Sequence, residues 1–159
     1  MSQSTSTSLL DVLIFDVERQ RHGLLLADVV EVLPAFTIVP LPNAPRVIQG
    51  VLDLRGTLVP VIDVRQRFGM PAKRLEASDH FVITRATGRA IALRIDRASE
   101  LRQVAGDLVE DARRAVAQTT YVAGVCKLPD GLVLLYDLAA FLSETEHGDL
   151  ERAMEGIAP

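Results

Sequence analysis

Two charged residues stand among apolar neighbours. Glu31 lies within Ala27-Asp28-Val29-Val30-Glu31-Val32-Leu33, and Arg55 follows Leu54 in the middle of an apolar run from Gly50 to Asp63. An unpaired charge buried in such a setting is costly, so the two either bridge to each other or face solvent separately; the sequence leaves both open. Asp63 and Asp137 are a second pair of carboxylates, of the kind that performs acid–base chemistry. Each stands directly before a short helix-forming stretch, Val64 to Phe68 and Leu138 to Leu142. A carboxylate there accepts free backbone N–H groups and contributes about 1 kcal/mol as a cap, which is the better account of both. The other reactive types do not assemble. His22, His80 and His147 fall in three separate polar stretches, and the single cysteine, Cys126, sits on a predicted strand where a small buried hydrophobe is expected. The sequence has no phosphate-binding glycine loop, no nucleophile elbow and no paired-histidine zinc motif. Neither catalysis, metal nor cofactor is expected.

The elements that must position Glu31 and Arg55 are short strands. Leu13, Phe15 and Val17 alternate with residues of the opposite face, and Gly23 to Leu26 follows the polar turn Glu18 to His22. Three more pairs of apolar runs flank tight turns: Arg55-Gly56-Thr57, Ala86-Thr87-Gly88-Arg89 and Pro129-Asp130-Gly131. Four hairpins predict an all-β sandwich or barrel. Laying Val47–Gln66 over Tyr121–Ala140 pairs Gly50 with Gly124, Val51 with Val125, Leu54 with Leu128, Leu58 with Leu132, Val59 with Val133 and Asp63 with Asp137. That repeat predicts two similarly built β subdomains, with the polar stretch Asp107–Gln118 as the crossover between them. Leu26, Val29 and Val32, three apart, fall on one side if their segment turns helically. The segment is apolar on almost every side, and the excess predicts an exposed groove for a partner helix.

Composition bounds the partner. The chain has 159 residues, 48% of them apolar, which suits one compact domain. Its net charge is −4, its basic residues are scattered, and aromatics are 4% with no Trp. A nucleic-acid binder, which needs a basic face or stacking platforms, is therefore disfavoured; a polypeptide or small-molecule partner is expected, and a small ligand-binding barrel stays as the alternative of another class. No apolar run reaches the roughly 18 residues of a membrane span. Residues 1–8 are expected to be a disordered N-terminal arm, 9–143 the folded domain, and 144–159 a polar C-terminal tail of frayed helix.

The run Gly50-Val51-Leu52-Asp53-Leu54-Arg55-Gly56-Thr57-Leu58-Val59-Pro60-Val61-Ile62-Asp63-Val64-Arg65 resembles the signature of the CheW family of chemotaxis coupling proteins, approximately G-V-x-N-L-R-G-x-x-x-P-V-x-D-L-R. Val29-Val30-Glu31-Val32, Pro42-Asn43-Ala44-Pro45 and Tyr121-Val122-Ala123-Gly124-Val125 also fit, so the likeness spans about residues 9 to 143. Asp53 departs from the usual Asn and Val64 from the usual Leu. The resemblance implies two five-stranded SH3-like β-barrels with short helices and a cytoplasmic, non-catalytic scaffold without cofactor. Such a scaffold links the cytoplasmic tip of a methyl-accepting chemoreceptor to the regulatory domain of a CheA-type histidine kinase, in a flagellar or a gliding, twitching or surface-sensing system, or binds one of the two partners alone. By position, it implies that Leu26, Val29, Val32 and Gly50 face the receptor and that Glu31 and Arg55 form a charged pair beside them. Phe36, Ile38, Leu41 and Pro42 are the expected kinase-facing residues.

Overall fold

A computed structural model of the chain describes residues 8–86, 88–111 and 121–157. The four predicted hairpins all form: β1 (Leu9–Val17) with β2 (Gln20–Leu25), β4 (Ile48–Leu54) with β5 (Thr57–Asp63), β6 (His80–Ala86) with β7 (Arg89–Ile95), and β10 (Val122–Leu128) with β11 (Gly131–Tyr136). Three further strands, β3 (Val29–Pro34), β8 (Arg97–Ala105) and β9 (Val109–Asp111), complete two sheets. One runs β8-β1-β2-β11-β10-β9 and the other β3-β6-β7-β5-β4. Each is closed by one continuous segment that pairs at both ends. The segment 97–111 turns through Gly106–Leu108 so that β8 starts the first sheet and β9 finishes it. The segment 29–39 contributes β3, then returns to pair Val39 with Val51 on β4. Closure removes exposed sheet edges and gives two small barrels of SH3-like build.

The repeat extends beyond the stretch where sequence identity is visible. β4 and β10 carry the same order of buried and exposed positions, and each has a register shift at its glycine, Gly50 and Gly124. The barrel interiors match residue for residue: Leu52, Val59, Val61, Phe81 and Ile83 fill one, and Cys126, Val133, Leu135, Val12 and Ile14 the other. The described part of the expected crossover, Asp107–Asp111, does not lead from one barrel to the other, however. The chain leaves the first sheet at Leu26–Asp28 and returns at Asp96, so 29–95 forms one barrel inserted within the other. Asp107–Asp111 belongs to the outer barrel, while 112–120 lies outside the described residues.

Between the barrels lies the largest core, in which Leu13, Phe15 and Leu24 of one barrel meet Ile62, Val82, Leu93 and Ile95 of the other. The stretch expected as a polar tail caps this core as α2 (Glu144–Glu155). Ser143 and Glu146 form a reciprocal capping box, and Leu150 and Ala153 are buried. Arg67, from the short helix α1 (Val64–Arg67), donates to the Phe141 carbonyl (2.7 Å) and pairs with Glu146 (2.8 Å), while Arg89 reaches Glu151 (2.9 Å). Two buried side chains among ten mostly polar ones are enough to dock the helix, because its ion pairs and cap serve the rest. The expected disordered arm falls on residues 1–7, outside those described; Ser8 is exposed and its carbonyl accepts the Gly106 N–H.

Candidate functional site

Arg55 and Gly56 connect β4 to β5 as a two-residue turn with φ of 54° and 86°. Left-handed backbone at both positions matches the right-handed twist of the flanking strands. Asp53 secures the turn, its Oδ1 accepting the Gly56 N–H at 2.9 Å. From this tip the Arg55 guanidinium reaches β3, donating to both carboxylate oxygens of Glu31 at 3.2 and 3.4 Å. The mutual bridge, one of the two openings left by the sequence, is thus the one that forms. Arg55 is 74% exposed and Glu31 28%, so the pair contributes little to stability. What it fixes is the direction of a planar cationic group at the end of the hairpin.

The face of β3 opposite Glu31 is apolar, and an irregularity builds it. Leu26 sits in a single 3-10 turn, and β3 begins at Val29, so the three-residue spacing is not helical. A bulge in β3 produces the same result another way. Val29 pairs with Thr84, Glu31 with Ile83 and Val32 with Val82, leaving Val30 as the extra residue. Directly paired residues share a face, so Val29 and Val32 emerge together and Glu31 on the other side. Val29 packs on the inter-barrel core, while Leu26 (37%), Val32 (36%) and especially Val30 (56%) are exposed. Val30 went unselected in the sequence reading because its exposure depends on the bulge; the only sequence signal was the surplus of apolar residues in its segment. Leu58, paired with Asp53 next to the tip, and Val39, paired with Val51 farther down β4, are further exposed apolar residues that sequence reasoning missed.

Gly50 is buried, and its role is a close approach of backbones. A Cβ there would lie 2.4 Å from the Val39 carbonyl oxygen and 2.7 Å from Ile38 Cγ2. Val39 and Val51 exchange hydrogen bonds of 2.9 and 2.7 Å across this contact, which closes the inserted barrel. The expected kinase-facing residues are divided. Phe36 is 38% exposed and stands edge-on to Phe81 at 5.3 Å. Ile38 packs on the barrel interior. Leu41 is buried in the inter-barrel core and presents no surface, because the chain turns inward before Pro42. Pro42 is exposed and lines a cleft of about 350 Å³ with Asn43, Asp149 and Arg152 against α2.

The other chemical groups are structural. Asp63 caps α1 by accepting the Arg65 N–H (3.1 Å) and also pairs with buried Arg94, which in turn holds Asp79 (3.1 Å). Asp137 precedes the 3-10 turn Leu138–Ala140, yet its side chain accepts no capping bond, contrary to expectation. That turn offers three residues instead of a full helical turn. His22 is not in a polar stretch: it is buried at the barrel junction, with Nδ1 hydrogen-bonded to the Tyr136 hydroxyl and Phe15 and Phe68 packed around it. Burial pushes its pKa down to about 4 and the Tyr136 hydroxyl and Cys126 thiol up. At the second barrel's hairpin tip the polarity is reversed, with Asp130 gripped by Arg21 (3.0 Å) and Arg102 (2.9 Å). Hydrogen bonds from Arg102, then Arg21, hold its carboxyl well below the usual range. Among the described residues no group of histidine, cysteine or carboxylate side chains is arranged to hold a metal, and no helix is long and apolar enough to cross a membrane.

Comparison with known proteins agrees with this geometry. A family model described as the CheW-like domain matches residues 11–146. The chain is similar to the chemotaxis protein CheW of Klebsiella aerogenes, 24% identical over 138 residues covering 86% of this chain and 83% of that one. It is also similar to CheW of Treponema pallidum, 23% identical over 138 residues covering 83% and 81%. Among solved structures, the scaffolding protein TtCheW of Thermoanaerobacter tengcongensis superposes with a TM-score of 0.80 at 24% identity, covering 87% of this chain and 96% of that chain. It shares the architecture of two SH3-like subdomains.

Proposed function

Because this chain belongs to the CheW-like domain family, a family of non-catalytic chemotaxis coupling scaffolds, we propose that it joins the cytoplasmic tip of a methyl-accepting chemoreceptor to the regulatory domain of a CheA-type histidine kinase. The observation that carries the receptor side is the bidentate Glu31–Arg55 pair, which ties the hairpin tip to β3, the strand that exposes Val30 and Val32, with Leu26 exposed just before it. An amphipathic receptor helix lays its apolar residues on those three and on the part of Val29 left open, while the oriented guanidinium meets a polar group on the helix. Gly50 acts indirectly, by letting the closing segment press against β4. The kinase side falls to Phe36 of the closing segment and Pro42 just beyond it, with Ile38 packed in the same barrel interior as Phe81, on which Phe36 rests.

Coupling follows from shared rigidity. Both faces belong to the inserted barrel, so a receptor that changes its grip on the tip alters the orientation in which the closing segment meets the kinase, and the kinase's populations shift by the difference in binding free energy. The scaffold works in the cytoplasm and reaches the membrane only through its partners.

The test is binding of purified chain to a receptor-tip fragment and to a kinase regulatory domain. Arg55→Glu should weaken receptor binding at least tenfold and leave kinase binding intact, and Glu31→Arg in the same chain should restore part of the loss. Absence of wild-type binding to either partner, or strictly additive losses in the pair, would overturn the proposal.

A further inference from the structure

The hairpin tip contains one charge that neither the fold nor the Glu31–Arg55 pair uses. Asp53 stabilises the turn through Oδ1 alone, which accepts the Gly56 N–H. A neutral side-chain carbonyl would accept the same hydrogen bond, so the turn needs an oxygen there and not a negative charge. Arg55, two residues along the chain, is already committed to both oxygens of Glu31. Among the described residues Asp53 enters none of the ion pairs, and it is exposed. The turn bond also restrains the carboxylate, so that Oδ2 is presented to solvent from a fixed base.

Its apolar neighbour is Leu58, paired with it across the hairpin and 36% exposed. The result is an exposed apolar side chain beside a single uncommitted negative charge, next to the tip that carries Arg55. A helix laid across that tip would have one turn opposite Asp53.

We propose that Asp53 is a specificity-determining residue of the receptor-facing site, selecting docked segments that place a lysine or arginine opposite its free carboxylate oxygen and a small apolar residue against Leu58. This rests on the receptor-binding reading above and adds the chemistry of the segment it would recognise. An exposed charge pair of this kind is worth a few-fold in affinity and is screened by salt.

Asp53→Asn is nearly isosteric and keeps the turn bond, so its far-ultraviolet circular dichroism and melting temperature should match wild type. Affinity for the receptor-tip fragment should fall about fivefold at 50 mM salt and converge with wild type at 500 mM. A receptor fragment whose basic residues at the contact are changed to glutamine should bind wild type and Asp53→Asn equally. If wild type binds, Arg55→Glu does not, and Asp53→Asn matches or exceeds wild type at low salt, the inference fails while the receptor reading stands. If wild type does not bind the fragment at all, both fail.

Discussion

Arg55 occupies left-handed backbone (φ 54°), which costs an ordinary side chain roughly 1–2 kcal/mol and suits Asn or Gly far better. Its exposed ion pair returns at most about 1 kcal/mol. A residue kept at a net local cost is one whose side chain serves something other than the fold. Arg55→Asn creates the Asn-Gly pair most favoured in such turns, so the variant should unfold at the same or higher denaturant concentration and yet lose receptor affinity. Lower stability together with normal binding would contradict this account of the tip. Gly50 is the converse case. Gly50→Ala puts a methyl group against the Val39 carbonyl, and backbone cannot rotate away as a side chain can. A destabilisation of about 2–3 kcal/mol is expected in urea titrations, with faster hydrogen exchange at the Val39 and Val51 amides. An unchanged midpoint would mean that the closing segment yields freely.

The elements divide by what their sequences encode locally. Hairpins were legible because Arg55-Gly56, Thr87-Gly88 and Asp130-Gly131 are turn signals between apolar runs. Glu31 and Arg55 were legible because charges amid apolar residues demand an explanation. β8 was not, since Arg97 to Ala105 is rich in charge and buries only Val104 completely. It is held by pairing to β1 and not by an apolar face. The bulge in β3 was invisible for a related reason. Register is a property of two strands, and the exposure of Val30 follows from Thr84 and Ile83 being consecutive while their partners are not. For α2 the helix was expected but its docking was not, because its two buried residues lie three apart among polar ones, a weak periodic signal. Its cap and its packing can be separated by mutation. Ser143→Ala should cost about 1 kcal/mol through the capping box, whereas Leu150→Ala should cost about 2–5 kcal/mol by opening a cavity in the inter-barrel core. Equal small losses in thermal melts would show that the helix frays instead of docking.

For the whole molecule, the shared core is larger than either barrel interior, so the barrels should unfold together. A fragment spanning 29–95 holds a complete sheet, yet it would expose Val47, Ile48, Ile62, Val64, Val82 and Leu93. It is expected to aggregate or remain molten by near-ultraviolet dichroism and dispersion of amide resonances. A folded, monomeric fragment would show that the interface is dispensable. The same interface carries an acid-sensitive group. His22 titrates near pH 6.5 when unfolded and at about 4 when buried, so above pH 6.5 both states are neutral and the full stability is present. As pH falls from 6.5 toward 4, only the unfolded chain takes up the proton, and about 3 kcal/mol is lost. His22→Phe should flatten the pH dependence within that window; an unaltered slope would place the sensitivity elsewhere. The insertion of one barrel within the other also has a mechanical meaning. Tension applied between Leu9 and Tyr136 must first strip β1 from β2 and β8, and β11 from β2 and β10. Only then does the load reach the two crossings at Leu26–Asp28 and Asp96 and enter the barrel bearing the proposed docking faces, which is thereby shielded until its host has opened.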